Sequence, residues 1–248
     1  MDFSEDLVVM RFLRSLAFNT TSFTWTFALL FLYTPLLLLS RTVILRATHL
    51  WISGIFALQR SILHLDFEFR GVNKLPSGPC IIASAHQSAW DTIAFHAVIN
   101  DPAFVLKREL YRVPMFGSYA RRLDMIAIDR LGSAGQTRRM IRDVSQRLFE
   151  GRKVIIFPGG TRSAPDDVVT LQSGITALYR LCDAPVVPVS LNSGHFWGRR
   201  SFLKKPGCIL VEFQEPINPG LDRATFNTLL SNRIHDGNRK LLSEIERL

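Results

Sequence analysis

The chain has 248 residues, 47% of them hydrophobic, and 30 lysines and arginines stand against 21 acidic residues for a formal net charge of +9. That length allows one α/β domain with something attached, or at most two small domains. The positive balance fits an anionic partner such as a phospholipid surface or a phosphorylated substrate. Nucleic acid is set aside, because the basic residues are scattered and neither a zinc-finger spacing nor an RNA-binding aromatic signature occurs. Cys80, Cys182 and Cys208 are odd in number, far apart and set in or beside apolar runs, which argues against a disulfide framework and for a reducing compartment.

The opening residues MDFSED lack the basic start of a secretory signal, so export is not expected. Ser15 to Ser40 holds no charge and is flanked by Arg11, Arg14 and Arg41. It is long enough to reach across a bilayer core of about 30 Å, although its threonines and Pro35 weaken the middle. Ala47 to Gln59, between Arg46 and Arg60, is too short for an easy second span. Residues 1–62 are therefore expected to form a membrane-associated hydrophobic helical hairpin, entering one leaflet or crossing shallowly, with Trp25, Tyr33 and Trp51 as interface anchors. A buried hairpin packed on a soluble domain is the alternative.

From residue 63 the pattern changes to short strand-like runs alternating with helical ones. Strands are expected at LDFEFRG (65–71), CIIAS (80–84), AFVLK (103–107), MIAI (125–128), KVIIFP (153–158), PVVPVS (185–190) and CILVEF (208–213). Helices are expected over 91–99, 115–123, 136–149, 172–182 and 224–248, the last an amphipathic closing helix with Gly237 as its weak point. Alternation of this kind predicts an α/β fold with a layered sheet and flanking helices over residues 63–248.

ASAHQSAWDT (83–92) places His86 just beyond a buried strand and Asp91 five residues later, at the start of a helix. Open α/β sheets bind ligands at such strand ends. On residue chemistry alone, Asp91 reads most simply as a helix N-cap and His86 as a loop residue. The catalytic reading stands beside it: the carboxylate takes the Nδ1 hydrogen and leaves Nε2 as a base. The other histidines show no ligand spacing with His86, so no metal is expected, and no G-x-S-x-G elbow supplies a serine nucleophile.

Three further blocks change the weight of that pair: LKRELYRVPMFGSYARRLDMIAIDR (106–130), IFPGGTRS (156–163) and APVVPVSLNSG (184–194). With histidine, four residues and aspartate ahead of them, they resemble in content and order the 1-acyl-sn-glycerol-3-phosphate acyltransferase family, a group of glycerolipid acyltransferases. The resemblance spans roughly residues 65–215. It implies a glycerolipid acyltransferase-like mixed sheet and transfer of a fatty acyl group from acyl-CoA or acyl carrier protein to the free hydroxyl of a lysophospholipid, with no cofactor. His86 is then the general base, and Asp91 holds its tautomer. Lys107 and Arg162 match the family's phosphate site, with Arg108 and Arg130 as lesser candidates, while Gly159, Gly160 and Thr161 shape a tight loop with exposed amides.

One departure matters: Gly159 stands where the family has glutamate. A glycine can neither order the neighbouring arginine nor accept a hydrogen bond from the acceptor. This leaves another lysolipid head group, a repositioned acid such as Asp166 or Asp167, or weakened catalysis. The leading expectation is acylation of 1-acyl-sn-glycerol-3-phosphate to phosphatidic acid. Acylation of a lyso-aminolipid, phospholipid remodelling, or lipid binding without turnover are the alternatives. The partners expected are the acceptor, the thioester donor and a membrane surface, with the catalytic domain on the cytoplasmic face of the inner membrane.

Overall fold

The computed structural model describes residues 3–129 and 134–245. Seven of the apolar runs become strands: β1 (Leu65–Arg70), β2 (Ile81–Ser84), β3 (Ala103–Lys107), β4 (Ile126–Ile128), β5 (Val154–Ile156), β6 (Val186–Leu191) and β7 (Gly207–Phe213). They form one sheet in the order β1-β7-β6-β2-β5-β3-β4. Every neighbouring pair is parallel except β6 and β7. The central strands β2, β5 and β6 are buried along their whole length, as continuous apolar strands covered on both faces must be. Charged residues collect on β1, which lies at a sheet edge.

Helices α3 (Asp91–Ala94), α4 (Phe116–Arg122), α5 (Ala134–Phe149), α6 (Ser173–Leu181), α7 (Ser193–Phe196) and α8 (Arg223–Ile245) follow the strands. The helix expected over 91–99 is α3 continued by a 3-10 turn at Phe95–Ala97. Gly237 does not weaken α8, which runs unbroken. A Cβ there would meet Ser190 Oγ and Gln214 Nε2, so the glycine lets α8 lie close on β6. Ser190 Oγ donates to the Ile234 carbonyl at 3.2 Å in the same contact.

Ahead of the sheet lie α1 (Phe3–Leu32) and α2 (Arg41–Leu58), joined through a 3-10 turn at Thr34–Leu38 that contains Pro35. Arg11 and Arg14 are inside α1, and proline stops it before the uncharged stretch ends. No helix among the described residues is long and apolar enough to cross a membrane. The indole N–H of Trp25 donates to the Trp51 carbonyl and that of Trp51 to Thr26 Oγ1, each at 3.0 Å, so both rings tie α1 to α2 where interface anchors were expected. Phe18, Ile52, Ile55 and Phe56 join one hydrophobic cluster with Leu65, Trp90 and the sheet. Charged clasps add to it. Arg41 binds Asp101 through two 2.7 Å bonds and Asp124 at 3.0 Å, and buried Arg152 meets the same Asp101 at 3.0 Å. Lys204, also buried, donates to Asn19 Oδ1 on α1 at 2.8 Å, and burial pulls its ammonium down to about 8.

Candidate active site

β6, β2, β5 and β3 are consecutive in the sheet and mutually parallel, so the loops leaving their C-terminal ends open along one edge. β2 runs into His86, β3 ends on Lys107, β5 leads to Phe157–Arg162, and β6 leads to Ser193. Residues far apart in sequence thereby meet around one cavity of about 440 Å³. His86, Lys107, Gly160, Thr161 and Arg162 line it.

The carboxylate of Asp91 turns back on the loop before it. Oδ2 accepts from the backbone N–H of Gln87 at 2.7 Å and of Ser88 at 2.8 Å, and lies 3.0 Å from His86 Nδ1. Asp91 makes no cap to the helix it begins, so the N-cap role open on sequence grounds is not the one it fills. A carboxylate only accepts, so the matching imidazole tautomer carries its proton on Nδ1 and leaves the Nε2 lone pair free. The second carboxylate oxygen, Oδ1, accepts from Ser193 Oγ at 2.5 Å. Asp91 is wholly buried, and the four donors satisfy the charge that burial would otherwise make costly.

Two contacts bind the His86 loop to the third block. The imidazole lies on Phe157 with centroids 4.1 Å apart and planes 18° apart, and Ser163 N–H donates to the His86 carbonyl at 2.9 Å. Gly160 has φ +72°, a left-handed conformation that suits glycine, whereas Gly159 does not. A Cβ at Gly159 would find Val169 Cγ1 at an ordinary 3.5 Å, so backbone shape does not explain the missing glutamate.

Not every expected residue comes to the cavity. Arg108 begins a 3-10 turn and Gly159 lies in the loop, but neither is in the wall, and Arg130 lies outside the described residues. Asp166 and Asp167 do not line it either, and Asp167 caps its own turn through Ala164 N–H at 2.7 Å. Arg199 and Arg200, outside all the sequence blocks, do line it, and Arg199 Nη1 donates to the Arg162 carbonyl at 2.9 Å. Ser193 was within the fourth block but carried no assigned role. Its only signal in the sequence is the polar NSG ending of an otherwise apolar strand.

A second cavity of about 280 Å³ is lined by Phe18, Ser22, Trp51, Ile55 and Trp90, with Thr92 shared with the first. Burial pushes the Cys80 thiol up to about 11 and also raises that of Cys182, so neither offers a thiolate near neutral pH.

A family model described as acyltransferase matches residues 66–192. The chain belongs to the acyltransferase family. Within that family it is 35% identical over 161 residues to the 1-acyl-sn-glycerol-3-phosphate acyltransferase of Pseudomonas aeruginosa, covering 65% of this chain and 63% of that protein. It is 25% identical over 197 residues to the lyso-ornithine lipid O-acyltransferase of the same organism, covering 72% and 73%. The crystal structure of the 1-acyl-sn-glycerophosphate acyltransferase of Thermotoga maritima has the same fold, with a TM-score of 0.75, 21% identity, and 93% and 97% coverage. The acyltransferase match ends at Leu191-Asn192, so Ser193, Arg199 and Arg200 lie just beyond it.

Proposed function

We propose that this acyltransferase-family chain transfers a fatty acyl group from the thioester of acyl-CoA or acyl carrier protein to the free hydroxyl of 1-acyl-sn-glycerol-3-phosphate, giving phosphatidic acid. The observation that carries the reading is the 3.0 Å contact between His86 Nδ1 and Asp91 Oδ2 in a cavity that also holds Lys107 and Arg162. Nε2 takes the acceptor's hydroxyl proton as its oxygen attacks the thioester carbonyl. The tetrahedral intermediate collapses, the carbon–sulfur bond breaks, and the thiolate leaves with the proton returned from the imidazolium. Asp91 stabilises that imidazolium between the two transfers. No acyl-enzyme forms. Lys107 and Arg162 hold the acceptor phosphate, fixing the neighbouring hydroxyl before the base. The apolar second cavity, which has Thr92 in its wall in common with the first, takes the acyl chain.

Residues 1–62 serve as the membrane-associated segment and 63–248 as the catalytic domain, held at the cytoplasmic face of the inner membrane where acyl donors are available. The exposed side chains of Phe23, Phe27, Phe31 and Leu38 support this reading, because apolar surface of that extent favours a lipid partner.

Gly159 and the likeness to a lyso-ornithine lipid acyltransferase favour a second reading, an acceptor with an amino-acid head group in place of the phosphate monoester. Competition between the two lysolipids for one labelled acyl-CoA separates them. The first reading expects product from the phosphate acceptor to dominate, and expects Arg162→Ala to raise the KM of that acceptor. Dominant acylation of the lyso-ornithine lipid would reject the first reading in favour of the second.

A further inference from the structure

We propose that Ser193 is a positioning residue for His86, acting through Asp91. The inference rests on the reading of His86 as the base, and adds to it a residue beyond the family match.

Asp91 has two oxygens with different duties. Oδ2 receives both backbone amides of the His86 loop together with His86 Nδ1. Among the described residues Oδ1 has a single donor, the Ser193 hydroxyl at 2.5 Å. A carboxylate bonded through one oxygen alone can turn about its Cβ–Cγ bond. A donor on the other oxygen fixes its plane, and with it the direction in which His86 is held.

Ser193 is itself held from several sides. Asn192 Oδ1 accepts from Leu210 N–H at 2.9 Å, which ties the end of β6 to β7. Gln87 reaches across from the His86 loop, its Nε2 donating to the Leu191 carbonyl at 2.8 Å and its Oε1 accepting from Gly194 N–H at 3.0 Å. A Cβ on Gly194 would come within 2.8 Å of Gln87 Cβ, so glycine is what lets the two loops touch. The residues on either side of Ser193 thus clamp the first block to the fourth, and Ser193 spans 102 positions to reach Asp91. Ser193 and Asp91 both have no exposed surface, so the hydroxyl is closed to substrate and serves no nucleophilic step.

The test uses the purified full chain in detergent, with acyl-CoA and 1-acyl-sn-glycerol-3-phosphate. Ser193→Ala is expected to lower kcat about tenfold with both KM values within about twofold, because binding groups are untouched while the base loses its fixed direction. The downfield Nδ1 proton resonance of His86 should broaden or disappear in the same variant. Ser193→Thr, which keeps the hydroxyl, should restore kcat to within about threefold. If Ser193→Ala does not fold, Ser193→Cys replaces it, and its weaker donor should give an intermediate kcat. A kcat for Ser193→Ala within about twofold of the unmodified chain overturns the proposal, as does equal impairment of the Ala and Thr variants. His86→Ala is measured alongside. Full activity in that variant removes the base itself, whereas its inactivity with an unaffected Ser193→Ala removes only the role of Ser193.

Discussion

The ring of His86 lies almost parallel to that of Phe157, with centroids 4.1 Å apart, so a residue from the first block and one from the third share a single stack. With Asp91 on the ring edge and Phe157 on its face, the imidazole has little freedom to turn. Phe157→Ala removes the face while leaving the Asp91 bond in place. We expect kcat to fall about fivefold to tenfold with KM little changed, measured by steady-state acyl transfer. An unaltered kcat would mean that the stack is packing alone.

The second cavity makes a prediction about donor length. Ser22 lines it from α1, and its hydroxyl is buried without a partner. Ser22→Phe places a ring in about 280 Å³ of apolar space and replaces that orphan hydroxyl. Across a series of acyl-CoA donors the preference should move toward shorter chains. Uniform loss at every length would place the acyl chain elsewhere.

α8 depends on a missing side chain. Gly237→Ala puts a methyl group against Ser190 Oγ and Gln214 Nε2, in the layer between α8 and β6. The overpacking cost of about 1–3 kcal/mol is offset by about 1 kcal/mol of better helix propensity for alanine, so a net loss of up to about 2 kcal/mol is expected. Thermal unfolding checks it. A raised Tm would show that α8 can shift away from the sheet at no cost.

His96 is held neutral. Burial is the main cause and the neighbouring His49 adds to it, lowering the His96 pKa to about 4. The unfolded chain takes up this proton near pH 6.5 and the folded chain does not, so folding loses stability as pH falls from about 6.5 toward 4 and no further below that. Chemical denaturation across this window should show a decline that His96→Gln flattens. An identical slope in the variant would assign the acid sensitivity to other groups.

The sheet was legible because its strands are short apolar runs bounded by turn residues. AFVLK, for example, spans β3 from end to end. The N-terminal helices were less so. An uncharged stretch is not a structural unit: α1 extends back through Arg14 and Arg11, whose side chains do not interrupt a helix, and stops near Pro35. The direction of the Asp91 carboxylate could not be read from residue types, since an aspartate at a helix start satisfies the capping pattern equally well. Ser193 was out of reach for another reason: its bond joins two loops that only the parallel arrangement of β2 and β6 brings together.

Most direct of all is acyl transfer from radiolabelled acyl-CoA to 1-acyl-sn-glycerol-3-phosphate by the detergent-purified chain beside its His86→Ala variant. The account predicts turnover by the unmodified chain and a loss of roughly 10²–10⁴-fold in the variant, the usual contribution of a general base. Turnover that survives in His86→Ala would contradict it, whatever the acceptor proves to be.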